Sequence, residues 1–191
     1  MLLIDHVYKK LRTVEQLPRR GRRIPLGTES EHLGQFVCGF PGGYELWRDR
    51  LGLATSYNVF DPEKRRVELT MHGTRFVSNP DSFVIFGVYA RPRNRVRAIE
   101  LYEFLIRRLG LTLVSDRNQS PGGQRIWKQL HRKHSLTVYG YNFRTNQVVD
   151  VAGSRLQDAY VTVRELETAK PGTKKALKSR AANIRLVACL A

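Results

Sequence analysis

The sequence predicts a single α/β (α+β) domain whose mixed central sheet begins as an antiparallel meander, and three observations carry that prediction. Four short runs rich in β-branched and aromatic residues, split by turns that hold glycine or proline, occupy 35–71. From 82 to 141 the pattern changes to strand, helix, strand, helix, strand, which is the alternation of an α/β layer. The 191 residues, 41% of them hydrophobic, suffice for one core, so 1–191 reads as one domain.

Taken in order, Leu3, Val7 and Leu11 fall at helical spacing, and 2–11 is expected to be a helix. Arg19, Arg20, Arg22 and Arg23 then surround Gly21 between Pro18 and Pro25, a basic arm at about 18–25 that follows neither periodicity. Arms of this kind track a phosphate backbone or enter a minor groove. Strands are expected at 35–40 and 44–48 across Pro41, Gly42 and Gly43, and at 53–60 and 66–71 across Asp61, Pro62 and Glu63. In the last of these, alternation puts Val67, Leu69 and Met71 on a buried face and Arg66, Glu68 and Thr70 on the other.

The apolar run 82–90, bounded by Pro80 and Pro92, reads as a buried strand. Over 95–109, Val96, Ile99, Leu101, Tyr102, Leu105, Ile106 and Leu109 recur near helical spacing, and Gly110 stands where a helix stops. A short strand at 111–115 follows. Ser120 as N-cap and Pro121 at the first helical position open a second helix through about His134, and 136–141 is the next strand. Shorter strands are expected at 147–151, 160–163 and 184–189, with a basic segment at about 170–182 between the last two.

Between the strand at 82–90 and its helix, Arg91, Arg93, Asn94, Arg95 and Arg97 crowd one junction. Cations are mildly unfavourable at a helix N-terminus unless an anion is present, so the junction points to an anion site. The whole chain agrees, with 33 Lys and Arg against 17 Asp and Glu and a net charge of +16. Nucleic acid, a CoA-type cofactor, an acidic protein or an anionic membrane face would each use that charge. Cys38 and Cys189 lie in apolar stretches without C-x-x-C spacing, which suits reduced thiols in a cytoplasmic protein. No run approaches the length of a membrane span. His131 and His134 lack a third ligand at a recognisable spacing and stand among Lys128, Arg132 and Lys133, which argues against a metal. No Gly-x-Ser-x-Gly elbow supports hydrolase chemistry.

The central stretch resembles the GNAT acyltransferase superfamily. Arg93-Asn-Arg-Val96-Arg-Ala98 resembles its Arg/Gln-x-x-Gly-x-Gly/Ala pyrophosphate turn, keeping the first and last positions with Val96 in the place of glycine. Ser120-Pro-Gly-Gly123-Gln-Arg-Ile126-Trp127 is similar to its Asn-x-x-Ala-x-x-Leu-Tyr helix, with Trp127 in the place of tyrosine. The segment from Ser115 and Asp116 to Trp127 is also similar to divergent acetyltransferase-like proteins of bacteriophages.

The resemblance, over about one third of the chain, implies a single domain with helices on both faces of the sheet. It implies acetyl-CoA held by the backbone at Val88 and Tyr89, by Arg93, Arg95, Val96, Arg97 and Ala98, and by Ser120 and Trp127 of the second helix. Acyl transfer also needs a base and an acid. By position Glu68, His72 or Asp116 is the base, and Tyr139 or Tyr141 replaces the acid that Trp127 does not supply. Two functions are implied. One is transfer of an acetyl group to an amine on a nucleic acid or its partner, and the other is a catalytically degenerate module that binds nucleic acid or an acidic host protein. Either places the chain in the cytoplasm, the host's if it is phage-encoded.

Overall fold

The computed structural model describes residues 34–75, 81–116, 119–142, 145, 147–149 and 184–191. The helix expected at 2–11, the arm with Arg19, Arg20, Arg22 and Arg23, the strand at 160–163 and the basic segment at 170–182 lie outside the described residues. The fold is α+β, a large mixed sheet with two helices among the described residues.

Four strands form the meander: β1 (Gln35–Phe40), β2 (Tyr44–Leu51), β3 (Ala54–Asp61) and β4 (Arg66–Arg75). β5 (Ser82–Ala90) leads to helix α1 (Ala98–Leu109), and β6 (Thr112–Val114) leads to helix α2 (Pro121–His131). β7 (Leu136–Asn142), β8 (Gln147–Val149) and β9 (Ile184–Leu190) complete the sheet. Its strand order is β1-β2-β3-β4-β5-β6-β9-β7-β8, so the last strand inserts between β6 and β7. Only β5 and β6 pair in parallel, as expected of two strands joined by a helical crossover.

The helices begin and end for local reasons. Arg97 is extended, its N–H donating to the Glu100 carboxylate at 3.0 Å, and Asn94 Nδ2 donates to the Val96 carbonyl at 2.6 Å, so α1 starts at Ala98 and not at 95. Gly110 takes the left-handed conformation at φ 65°, and the Leu111 N–H closes on the Leu105 carbonyl at 3.1 Å. In α2 the Ser120 hydroxyl accepts from the Gly123 N–H at 3.2 Å, with Pro121 first in the helix. The helix closes at His131 through a tighter turn onto the Gln129 and Leu130 carbonyls, so His134 lies beyond it.

Both helices cover the same face. Leu101, Tyr102, Leu105 and Ile106 of α1 and Trp127 and Leu130 of α2 share one core with Phe83, Leu113, Leu186 and Ala188 of the sheet. Val84, Val114 and Val187 alternate to the opposite face, where they pack with Phe86, Tyr139 and Tyr141 and with no residue of α1 or α2. Helices on both faces are therefore not found among the described residues.

Besides a register shift between Phe36 and Cys38 in β1, two bulges further along the sheet correct the simple alternation. At the first, Val59 pairs with Leu69 and Phe60 with Val67, leaving Glu68 extra on β4. Val67 thus packs with Phe60 and Trp47, away from Leu69 and Met71, and Glu68 and Thr70 are buried, not solvated. At the second, His72 pairs with Gly87 and Gly73 with Ile85, leaving Phe86 extra on β5. Gly73 is required there, since a Cβ would stand 2.2 Å from the Val84 carbonyl oxygen and 2.5 Å from the Phe83 ring. Tyr57 packs edge-on to that ring, with centroids 5.3 Å apart.

Candidate functional site

The second bulge opens the sheet. A bulge bends its strand and increases its twist. β5 stays paired with β4 along its length, but on its other edge only Ser82, Phe83 and Val84 pair with β6. From Ile85 onward that edge turns away from β6, so its backbone donors and acceptors are left for something other than the sheet. A cleft of about 400 Å³ occupies the gap.

One wall is β5 from Ile85 to Ala90, and the other is the start of α2, with Ser120, Gly122, Gly123, Ile126 and Trp127. Ala98 and Tyr102 of α1 and Asp116 and Gln119 from the loop after β6 complete the lining. Trp127 is 2% exposed and meets Tyr102 edge-on with centroids 6.0 Å apart, a rigid apolar wall. Burial raises the Tyr102 phenol well above its ordinary pKa, so its proton stays on at neutral pH.

The most informative residue is Gln119. Its side chain is 5% exposed, and both its amide nitrogen and its amide oxygen are buried without a hydrogen-bond partner. Leaving either group unsatisfied costs about 1–3 kcal/mol, and native folds seldom tolerate it without a reason. Here the residue belongs to the cleft wall one position before the α2 N-cap, with its amide atoms buried within that wall.

Of the expected site residues, Val88, Tyr89, Ala98, Asp116, Ser120 and Trp127 line this cleft. The arginine junction does not. Arg97 is exposed and engaged by Glu100 at 2.7 Å, while Arg93 is exposed in a left-handed turn at φ 62°. Arg95 and the buried Val96 line a second, open groove between the β1–β2 turn and α1, whose floor is Phe40 and Phe104 of the core. Glu68 is 2% exposed beside Arg66, its Oε1 accepting at 2.7 Å and its Oε2 buried without a partner. Neither Glu68 nor Tyr139 is in the cleft lining, and Tyr139, on the face opposite the helices with Tyr141, is raised in pKa chiefly by burial.

His72 sits on β4 opposite Gly87, with Nδ1 2.6 Å from the Ser56 hydroxyl and its ring 5.5 Å from that of Tyr89, itself a lining residue. Burial pushes the imidazole below its ordinary pKa, with Asp49 acting weakly in the other direction. Such a histidine binds its proton more readily in the unfolded chain. Its contribution to stability is therefore whole above about pH 6.5 and is lost as pH falls through the window between that value and the depressed folded one. Denaturant titrations at pH 7.5 and 5.5 will show a smaller loss of stability for His72→Asn than for the wild type.

Tyr102 and Gln119 were not legible as site residues. Tyr102 follows the core periodicity of its helix, and nothing in the order of residues before Ser120 announces a buried, unpartnered amide. No group of three or more His, Cys, Asp and Glu suited to a metal occurs among the described residues. Among them, too, no helix is long and apolar enough to cross a membrane.

The fold and cleft together define an α+β domain with a ligand-sized opening where a bulged strand leaves its sheet and a helix N-terminus faces it. No family model, curated protein or solved structure matches the chain.

Proposed function

We propose that the chain is a GNAT-like acyltransferase that binds acetyl-CoA in the cleft between β5 and α2. The observation that carries this reading is the buried, unpartnered Gln119 amide in one wall of the cleft, with the edge of β5 as another wall. An extended ligand bearing amides, such as an acyl-pantetheine arm, would satisfy both at once. Residues 85–90 would pair with it as a strand edge does, and Gln119 would donate to and accept from it. Trp127, Ile126 and Ala98 supply the apolar lining that such an arm needs. Arg93, Arg95 and Arg97 are exposed just before α1, outside the cleft lining but close in sequence to its residue Ala98.

In the transfer, the amine nitrogen bonds to the acyl carbon while the carbon–sulfur bond breaks. The amine proton passes to a base and the thiolate takes a proton from an acid. Asp116, already among the expected bases, is the carboxylate in the cleft lining, whereas burial holds the proton of the lining phenol Tyr102 too tightly for a ready acid. Trp127, an indole without a usable proton, favours the second reading, a module that keeps the ligand site without the chemistry.

Calorimetric titration of nuclease-treated protein with acetyl-CoA, at moderate and at high salt, tests the site. Saturable one-to-one binding that survives salt is expected, because a shaped apolar groove is screened less than a charged surface. Absence of binding at both salt concentrations refutes the reading. Release of free thiol on adding amine acceptors then separates the enzyme from the degenerate module.

A further inference from the structure

From Arg125 onward the exposed side of α2 carries only cations and amides. Arg125, Lys128, Gln129 and Arg132 are spaced so that they share one stripe along the helix, opposite Trp127 and Leu130. Arg125, Gln129 and Arg132 are exposed and Lys128 is half-buried. Between Asp116 and Asp150 the sequence has no acidic residue at all. Elsewhere four cations have carboxylate partners: Lys64 with Asp61, Arg66 with Glu68, Arg97 with Glu100, Lys133 with Glu103. Among the described residues, Arg125, Lys128 and Arg132 have no ion pair.

We propose that this stripe of α2 binds the phosphate backbone of a nucleic acid. Three unmatched cations on a straight line about 10 Å long suit a polymer whose charges also follow a line. The stripe holds no aromatic or aliphatic side chain, and protein interfaces draw their energy from such anchors, whereas nucleic-acid interfaces are polar and positive. The helix dipole adds a partial positive charge at the end that opens on the cleft. The assignment stands apart from the acyl-CoA reading, since neither Gln119 nor the β5 edge takes part in it.

The test is fluorescence anisotropy of a labelled 20-nucleotide RNA, and of a DNA duplex of the same length, with the full chain at several salt concentrations. The variant Arg125→Gln, Lys128→Gln, Arg132→Gln keeps good helix formers on the surface. A control of equal charge, Arg50→Gln, Arg65→Gln, Arg108→Gln, removes exposed cations from other elements. The α2 variant is expected to lose about tenfold or more in RNA affinity, with its salt slope shallower by about 2, as three lost contacts to a single strand imply. The control should change the slope by less than about 1. Gln119→Leu should keep the wild-type affinity, so failure of the cleft reading leaves this result intact. Unchanged binding in the α2 variant, or equal losses in variant and control, would overturn the assignment. So would displacement of the RNA by polyglutamate at matched charge, which would mark the stripe as a site for acidic protein.

Discussion

Replacing Gln119 by leucine will stabilise the ligand-free chain and at the same time weaken acetyl-CoA binding about tenfold or more. The two effects have one cause. The amide is buried with both polar atoms unpartnered, and a leucine of similar size removes a desolvation cost of about 1–3 kcal/mol for each unsatisfied group. For the two groups together that is about 2–6 kcal/mol, which for a chain of this length corresponds to a rise of roughly 4–24 °C in the unfolding midpoint. The lost affinity is that of two neutral hydrogen bonds, each worth about 0.5–1.5 kcal/mol. Thermal unfolding of the two proteins, each with and without acetyl-CoA, reads both quantities. A variant less stable than the wild type would mean that the amide is satisfied after all. A more stable variant with undiminished binding would place the ligand elsewhere.

Truncating Trp127 to alanine will be among the most damaging single changes in the described part of the chain. The indole is 2% exposed, joins α2 to Tyr102 of α1, and forms a wall of the cleft. Removing such a side chain from a packed core costs about 3–5 kcal/mol, so the unfolding midpoint should fall by roughly 10 °C or more. Trp127→Phe, which keeps an aromatic ring against Tyr102, should lose less than half as much. Chemical denaturation of both variants measures the difference. If alanine and phenylalanine proved equally mild, the α1–α2 contact would not be a principal part of the core.

These two residues also show how far the sequence could be read. The start of the helix that carries Trp127 was legible, because Ser120 and Pro121 are local capping signals, whereas Trp127 itself was singled out only by the resemblance of 120–127 to a family helix. The strands of the meander were legible for a similar reason, since β-branched runs between turn residues are local signals. What depended on distant parts of the chain was not legible. The extra residues Glu68 and Phe86 arise from how β4 registers against β3 and β5, so Val67 was expected on the wrong face. The insertion of β9 between β6 and β7 joins residues about 40 to 75 positions apart along the chain and leaves no periodic trace. The arginine junction drew attention by its charge, yet local bonds, from Asn94 to Val96 and from Arg97 to Glu100, turn it into a helix entry beside the cleft, not its lining.

The claim on which the rest depends is that the gap between the free edge of β5 and the N-terminus of α2 is where the ligand sits. Amide hydrogen exchange of the wild-type chain, with and without saturating acetyl-CoA, tests it most directly, because the cleft-side amides of 85–90 pair with no strand there, and at the start of α2 the Gly123 amide is held only by the Ser120 hydroxyl. The predicted result is slowed exchange in these two segments and little change in β1 and β2. Slowed exchange confined to the β1–β2 turn and the outer face of α1, or none at all, would contradict it.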